Sequence, residues 1–124
     1  MAVNKKILVV EDDKFLRKVY ESKLPKEGFI VVSAGDGEAG LAAIKKESPD
    51  LILLDLIMPK MTGFDVLAAI KKDPTLAKIP IIVLSNLGQE EDTIKAKALG
   101  ASDFLIKSNY SIKEVVEKIK NQLK

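Results

Sequence analysis

Asp55 closes the segment Pro49-Asp50-Leu51-Ile52-Leu53-Leu54-Asp55-Leu56-Ile57-Met58-Pro59, an apolar run that meets one carboxylate just before a proline-marked turn. Two more acids, Glu11 and Asp12, follow the apolar run Ile7–Val10. A hydroxyl, Ser85, follows Ile79–Leu84, and an ammonium, Lys107, follows Phe104–Ile106. Three carboxylates brought together repel one another and resist ionisation unless a cation compensates. Oxygen-only donors select a hard divalent ion, magnesium or manganese, which keeps several waters and bridges readily to a phosphoryl oxygen. Lys107 adds a mobile positive charge, and Ser85 a hydroxyl able to bond the same oxygens. The chemistry this set points to is phosphoryl transfer to or from Asp55.

For residues so far apart in sequence to meet, each must end a strand of one sheet. Strand-like runs at Ile7–Val10, Phe29–Ser33, Leu51–Leu54, Ile79–Leu84 and Phe104–Ile106 alternate with segments of helical spacing. The last helix is the clearest, with Ile112, Val115, Val116, Ile119 and Leu123 on one face and Ser111 as its cap. The first carries Phe15, Leu16, Val19, Tyr20 and Leu24 inward, is capped by Asp13, and ends around Pro25, with Gly28 at the turn into the next strand. Gly100 closes the helix containing Ile94, Ala98 and Leu99. The pattern reads as an α/β fold, (βα)5: a doubly wound, five-stranded parallel sheet with right-handed crossovers and helices on both faces. In such a sheet, ligands bind beyond the carboxyl ends of the strands, where Glu11, Asp12, Asp55, Ser85 and Lys107 all fall.

Composition removes several alternatives. The 124 residues, 47% hydrophobic, suffice for one domain with its own core. Twenty basic against 18 acidic residues leave a net charge of +2, and no stretch interleaves basic with aromatic residues, so direct nucleic-acid binding is not expected. Without cysteine there is no disulfide, thiolate nucleophile or zinc thiolate; without histidine there is no imidazole base, His-based triad or phosphohistidine within the chain. Lys5 and Lys6 before Ile7–Val10 superficially suggest a signal peptide, but Glu11, Asp12 and Asp13 stop the apolar run. A cytoplasmic location without membrane insertion is expected, and the Asn109-Tyr110-Ser111 sequon is read as chance. One domain, 1–124, ending with its last helix and followed by no further domain, completes the expectation.

Taken together, Ile-Leu-Val-Val-Glu-Asp-Asp at 7–13, Asp-Leu-Ile-Met-Pro-Lys-Met-Thr-Gly at 55–63, Ile-Pro-Ile-Ile-Val-Leu-Ser at 79–85 and Gly-Ala-Ser-Asp-Phe-Leu-Ile-Lys at 100–107 are specific. Over essentially its whole length the chain resembles a response-regulator receiver domain of the single-domain, chemotaxis type. The resemblance implies that Asp55 is the phosphoacceptor and that Glu11, Asp12, Asp55 and the backbone carbonyl of Ile57 hold magnesium. It further implies that Ser85 is the switch hydroxyl, Lys107 the phosphate-binding lysine and Phe104 the switch aromatic. The implied partners are a histidine kinase or histidine phosphotransfer protein upstream. Downstream they are a protein partner or self-association, through the face made by the fourth helix, fifth strand and fifth helix. The implied strand order is 2-1-3-4-5, with the acids at the topological switch point.

Several competing readings and departures matter. Phe104 serves packing as readily as switching. Gly35-Asp36-Gly37-Glu38-Ala39-Gly40 spells a dinucleotide fingerprint, but Asp36 and Glu38 put carboxylates where a pyrophosphate would approach, so its glycines are read as turn chemistry. Haloacid-dehalogenase-type phosphatases share an aspartyl phosphate but carry a second aspartate where Ile57 stands. A phosphorylation-independent scaffold using the helical faces is the alternative of a different class. The family's proline after the lysine is replaced by Ser108; because a non-proline cis bond costs roughly 2.5–4 kcal/mol, both a trans and a strained cis bond are open. Phe104 lacks the hydroxyl of the family's frequent tyrosine. Ile57 and Leu87, two residues past Asp55 and Ser85, are apolar and cannot orient water, which implies slow autodephosphorylation.

Overall fold

The computed structural model describes residues 4–124; the start of the expected 1–124 domain therefore lies outside the described residues. Five strands, β1 (Lys6–Val10), β2 (Ile30–Ala34), β3 (Leu51–Leu54), β4 (Ile81–Ser85) and β5 (Asp103–Ile106), form one parallel sheet in the order β2-β1-β3-β4-β5. Between and after them run α1 (Lys14–Lys26), α2 (Gly37–Glu47), α3 (Gly63–Lys71), α4 (Glu90–Ala98) and α5 (Ile112–Gln122). The doubly wound (βα)5 expectation and its strand order are both met.

Strand side chains alternate between faces, so each strand feeds two cores. Leu8, Val10, Ile52, Leu54, Ile81 and Val83 pack under Ile44 of α2, Val66, Leu67 and Ile70 of α3 and Ala96 of α4. Ile7, Val9, Leu51, Leu53, Ile82, Leu84 and Leu105 pack under Tyr20 and Leu24 of α1 and Val115, Val116 and Ile119 of α5. Burial on both faces explains why the central strands read as continuous apolar runs, and each fully buried Leu or Ile contributes about 1.5–3 kcal/mol.

The boundaries moved where local chemistry intervened. The fourth strand starts at Ile81 rather than Ile79, because Ile79 N is committed to Leu76 O and Pro80 has no N–H, offering only its carbonyl to Ile52 N. The second strand is shifted by one residue to Ile30–Ala34, and the fifth starts one residue earlier, at Asp103–Ile106. Helix α1 runs through Pro25 to Lys26 and turns at Gly28, whose φ is +94°. Phe15, expected inward, is 79% exposed. The buried stripe of α1 follows the i, i+4, i+8 line Leu16, Tyr20, Leu24, which leaves Phe15 beside the outer groove between α1 and α5. Gly100, at φ +103°, closes α4 with the Ala101 N to Ala96 O bond of a Schellman turn. No helix among the described residues is long and apolar enough to cross a membrane.

Candidate functional site

Register places the site. Val10 is level with both Ala34 and Leu54, and Ser85 with Ile106, so the chain leaves β1, β3, β4 and β5 at one edge with Glu11, Asp55, Ser85 and Lys107 as terminal or following residues. Glu11, Asp55 and Ser85 are the buried polar side chains among the described residues, and all three belong to this edge. Burying such groups is costly unless they are paired, so their coincidence marks, among the described residues, the edge where the fold tolerates buried polar groups.

Glu11 N donates to Ala34 O, and Asp13 caps α1 by accepting from Phe15 N and Leu16 N, as expected of it. Asp13 N in turn donates to Glu11 Oε2 at 3.1 Å. Glu11, exposed Asp12 and Asp55 each offer an oxygen, all within 4.8 Å of one another. Lys107 Nζ lies 2.6 Å from Glu11 Oε1 and 3.2 Å from Asp55 Oδ2. The other Asp55 oxygen accepts from Leu56 N at 2.7 Å and weakly from Ile57 N at 3.5 Å. No peptide bond among the described residues is cis, so Lys107 reaches the acids across an ordinary trans bond to Ser108, from a short 3-10 turn at Lys107–Asn109.

The charges are strained by burial. Desolvation pushes the Glu11 carboxyl up from 4.5 to about 7; the Lys107 hydrogen bond and Asp13 amide pull it down, and the Asp55 charge pushes it up. Burial alone would lower the Lys107 ammonium, but its bonds and attraction to Glu11 and Asp55 raise it above its ordinary value. Tyr20 is raised, first by burial and then by the Glu11 charge. Three converging carboxylates with one ammonium between two of them are short of positive charge, and an all-oxygen donor set fits a hard divalent cation.

The remaining expectations divide. Ser85 is fully buried, and its Oγ accepts from Leu87 N at 3.4 Å. Phe104 is half-buried against the core beneath α2–α4. Ile57 is 58% exposed. The fingerprint-like glycines are consumed by packing: a Cβ at Gly37 would stand 2.0 Å from Met61 O, and one at Gly40 2.7 Å from Val10 Cγ1, while Asp36 caps α2 through Ala39 N. Two participants escaped sequence reading. A Cβ on Gly63 would meet Asp55 O at 2.2 Å, so α3 begins hard against the Asp55 backbone; its place in the Asp55–Gly63 motif was the available signal. Arg17 Nη1 donates to Glu11 O at 2.7 Å, and nothing in the α1 pattern distinguishes it from a solvated cation.

The family model for the response regulator receiver domain matches residues 7–120. The chain belongs to that family. As a receiver it is 38% identical over 124 residues to the probable transcriptional regulator ycf27 of Guillardia theta, covering 100% of this chain and 47% of that protein. It is 42% identical over 102 residues to response regulator PleD of Caulobacter vibrioides, covering 82% and 22% respectively. The receiver thus spans about half the length or less of these curated relatives. Among solved structures, chemotaxis protein CheY4 of Vibrio cholerae superposes with a TM-score of 0.88 at 28% identity, covering 96% of this chain and 98% of that one. The Mn(2+)-bound form of response regulator Rcp1 gives 0.80 at 33%, covering 94% and 90%. The BeF3-activated receiver domain of Klebsiella pneumoniae RstA gives 0.88 at 27%, covering 97% and 99%. A response-regulator receiver works in two-component signalling, which implies a phosphodonor partner.

Proposed function

We propose that this receiver is a phosphorylation switch in which Asp55 accepts a phosphoryl group from the phosphohistidine of a histidine kinase or histidine phosphotransfer protein, or from a small phosphodonor. One observation carries the reading: Lys107 Nζ spans Glu11 and Asp55, at 2.6 and 3.2 Å, within a group of three converging carboxylates. Glu11, Asp12, Asp55 and the Ile57 carbonyl would hold magnesium, or manganese, which when bound offsets the charge of the phosphoryl oxygens. That one similar receiver is Mn(2+)-bound and another BeF3-activated supports both halves of the reading.

Asp55 attacks in line. The P–N bond to the donor imidazole breaks as the bond from phosphorus to a carboxylate oxygen forms, and the departing nitrogen keeps the electron pair and takes a proton from water. Lys107 can turn from Asp55 Oδ2 to a phosphoryl oxygen while keeping Glu11 as its second partner, so its charge is in place before the reaction. Ser85 Oγ is an acceptor in its long bond to Leu87 N, which leaves the hydroxyl hydrogen to donate to the phosphoryl group. That shift draws in the loop before α4, and half-buried Phe104 follows inward. Helix α4 suits the moving part: it buries Ala96 alone and its N-cap, Gln89, makes no side-chain bond, whereas α3 and α5 each begin with a full capping box. The face of α4, β5 and α5 is the readout toward a protein partner or a second copy, and the cytoplasm, where such donors act, is the location the reading implies.

Intact mass after incubation with acetyl phosphate, with and without magnesium, tests the proposal on the native chain and on Asp55→Asn. The expected result is a single magnesium-dependent phosphoryl adduct that the substitution abolishes. An adduct that survives in Asp55→Asn would move the acceptor elsewhere. No adduct together with no metal binding would favour a scaffold acting through its helical faces.

A further inference from the structure

Arg17 is the single arginine of the chain, and its guanidinium reaches the backbone at the acidic edge. Its Nη1 donates to the carbonyl oxygen of Glu11 at 2.7 Å. Its guanidinium lies against Gly35, where an added Cβ would stand 3.1 Å from Nη1 and 3.5 Å from Cζ. The carbonyl of the Glu11–Asp12 peptide is therefore bonded from α1 by a guanidinium that lies against the β2–α2 turn, and the two side chains flanking that peptide are two of the three converging acids.

We infer that Arg17, seated on Gly35, is a positioning residue for the cation site: it fixes the Glu11–Asp12 peptide so that both carboxylates converge on Asp55. The inference rests on the switch reading above. A main-chain carbonyl is the acceptor that lets an arginine orient these acids without occupying an oxygen the cation would use. The planar guanidinium suits the task, since one nitrogen can bond the carbonyl while the group lies against the bare glycine. Outer-sphere contacts of this kind orient ligands and set affinity.

Charge and positioning predict opposite signs. A cation near a metal site opposes metal binding, so if Arg17 acted only as a charge, its removal would tighten magnesium. If it positions the acids, its removal weakens magnesium. Isothermal titration calorimetry with magnesium chloride separates the two on the native chain, Arg17→Met, Arg17→Lys, Gly35→Ala and the Arg17→Met/Gly35→Ala double variant. Arg17→Met is expected to weaken binding on the order of tenfold, with partial recovery in Arg17→Lys. Gly35→Ala is expected to weaken it in the native background and to add nothing in the double variant, since both act through one contact. A merely structural role would lower the unfolding midpoint and leave the affinity of the folded protein where it was. Unchanged or tightened magnesium in Arg17→Met, or a full Gly35→Ala effect in the double variant, overturns the inference. Should Arg17→Met fail to fold, Arg17→Lys and Gly35→Ala decide by the same criterion. A native chain that binds no magnesium defeats the switch reading itself, whereas native binding with unaltered variants defeats this inference alone.

Discussion

Ile57 stands two residues beyond Asp55, the proposed acceptor, and is 58% exposed, a place with little packing for a large apolar side chain to do. Leu87, the matching position after Ser85, is half-buried and leans on the core under α2–α4, so its apolarity has a structural reason. Ile57 is therefore the cleaner probe of phosphoryl lifetime. Substituting Ile57→Asn is expected to shorten the lifetime of the Asp55 adduct by giving an attacking water a partner, while changing stability by no more than about 0.5 kcal/mol. Following adduct decay by intact mass checks it; an unchanged decay rate would remove apolar shielding as the cause of a slow reaction. At this scale the sequence was informative about groups that must be polar at a strand end. Glu11, Asp55, Ser85 and Lys107 stood out because polarity interrupts an apolar run. Arg17 did not, because one cation among many on an amphipathic helix carries no mark of the carbonyl it binds, and Gly63 did not, because what it avoids is backbone rather than a side chain.

Among the elements, α1 and α5 share an apolar core and are also tied at one end by a charge cluster. Lys120 Nζ lies 2.7 Å from Glu27 Oε1, and Lys23 Nζ 3.4 Å from Glu27 Oε2. The Lys120 hydrogen bond and charge, followed by the Lys23 bond, hold the Glu27 carboxyl below its ordinary 4.5. A carboxylate lowered on folding adds stability that is present above its unfolded value and disappears as pH falls through the folded one. Glu27→Gln should therefore cost a small, constant increment near neutrality that shrinks as pH drops below about 4.5. Denaturant unfolding of both proteins across that range checks it, and a gap that stays constant into acid would mean that Glu27 is not linked to pH through this cluster. The elements themselves were legible wherever apolar spacing was strong and capping chemistry explicit, as with Asp13 and Ser111. Their ends were less so. Pro80 delays β4 because the preceding turn claims Ile79, and Phe15 falls outside the buried stripe because that stripe follows Leu16, Tyr20 and Leu24.

For the molecule as a whole, the acidic edge is a cost that the folded state carries and that the proposed cation would relieve. Three carboxylates converge within 4.8 Å, and burial raises Glu11 to about 7, so the metal-free fold holds groups that would be better solvated in the unfolded chain. Anything that binds the native state alone stabilises it by RT ln(1 + [L]/Kd), about 1.4 kcal/mol at ten times Kd. Magnesium chloride should therefore raise the unfolding midpoint of the native chain, and an equal ionic strength of sodium chloride should not. Asp12→Asn separates the two contributions, because Asp12 is exposed and makes no capping bond of its own. Removing its charge relieves repulsion, so the metal-free variant should melt at or above the native midpoint, while its magnesium increment should fall sharply. Greater bare stability bought at the expense of ligand response is the signature of a site selected for function. An Asp12→Asn variant that kept the full magnesium increment would remove Asp12 from the cation site and leave the convergence of acids without a ligand to explain it.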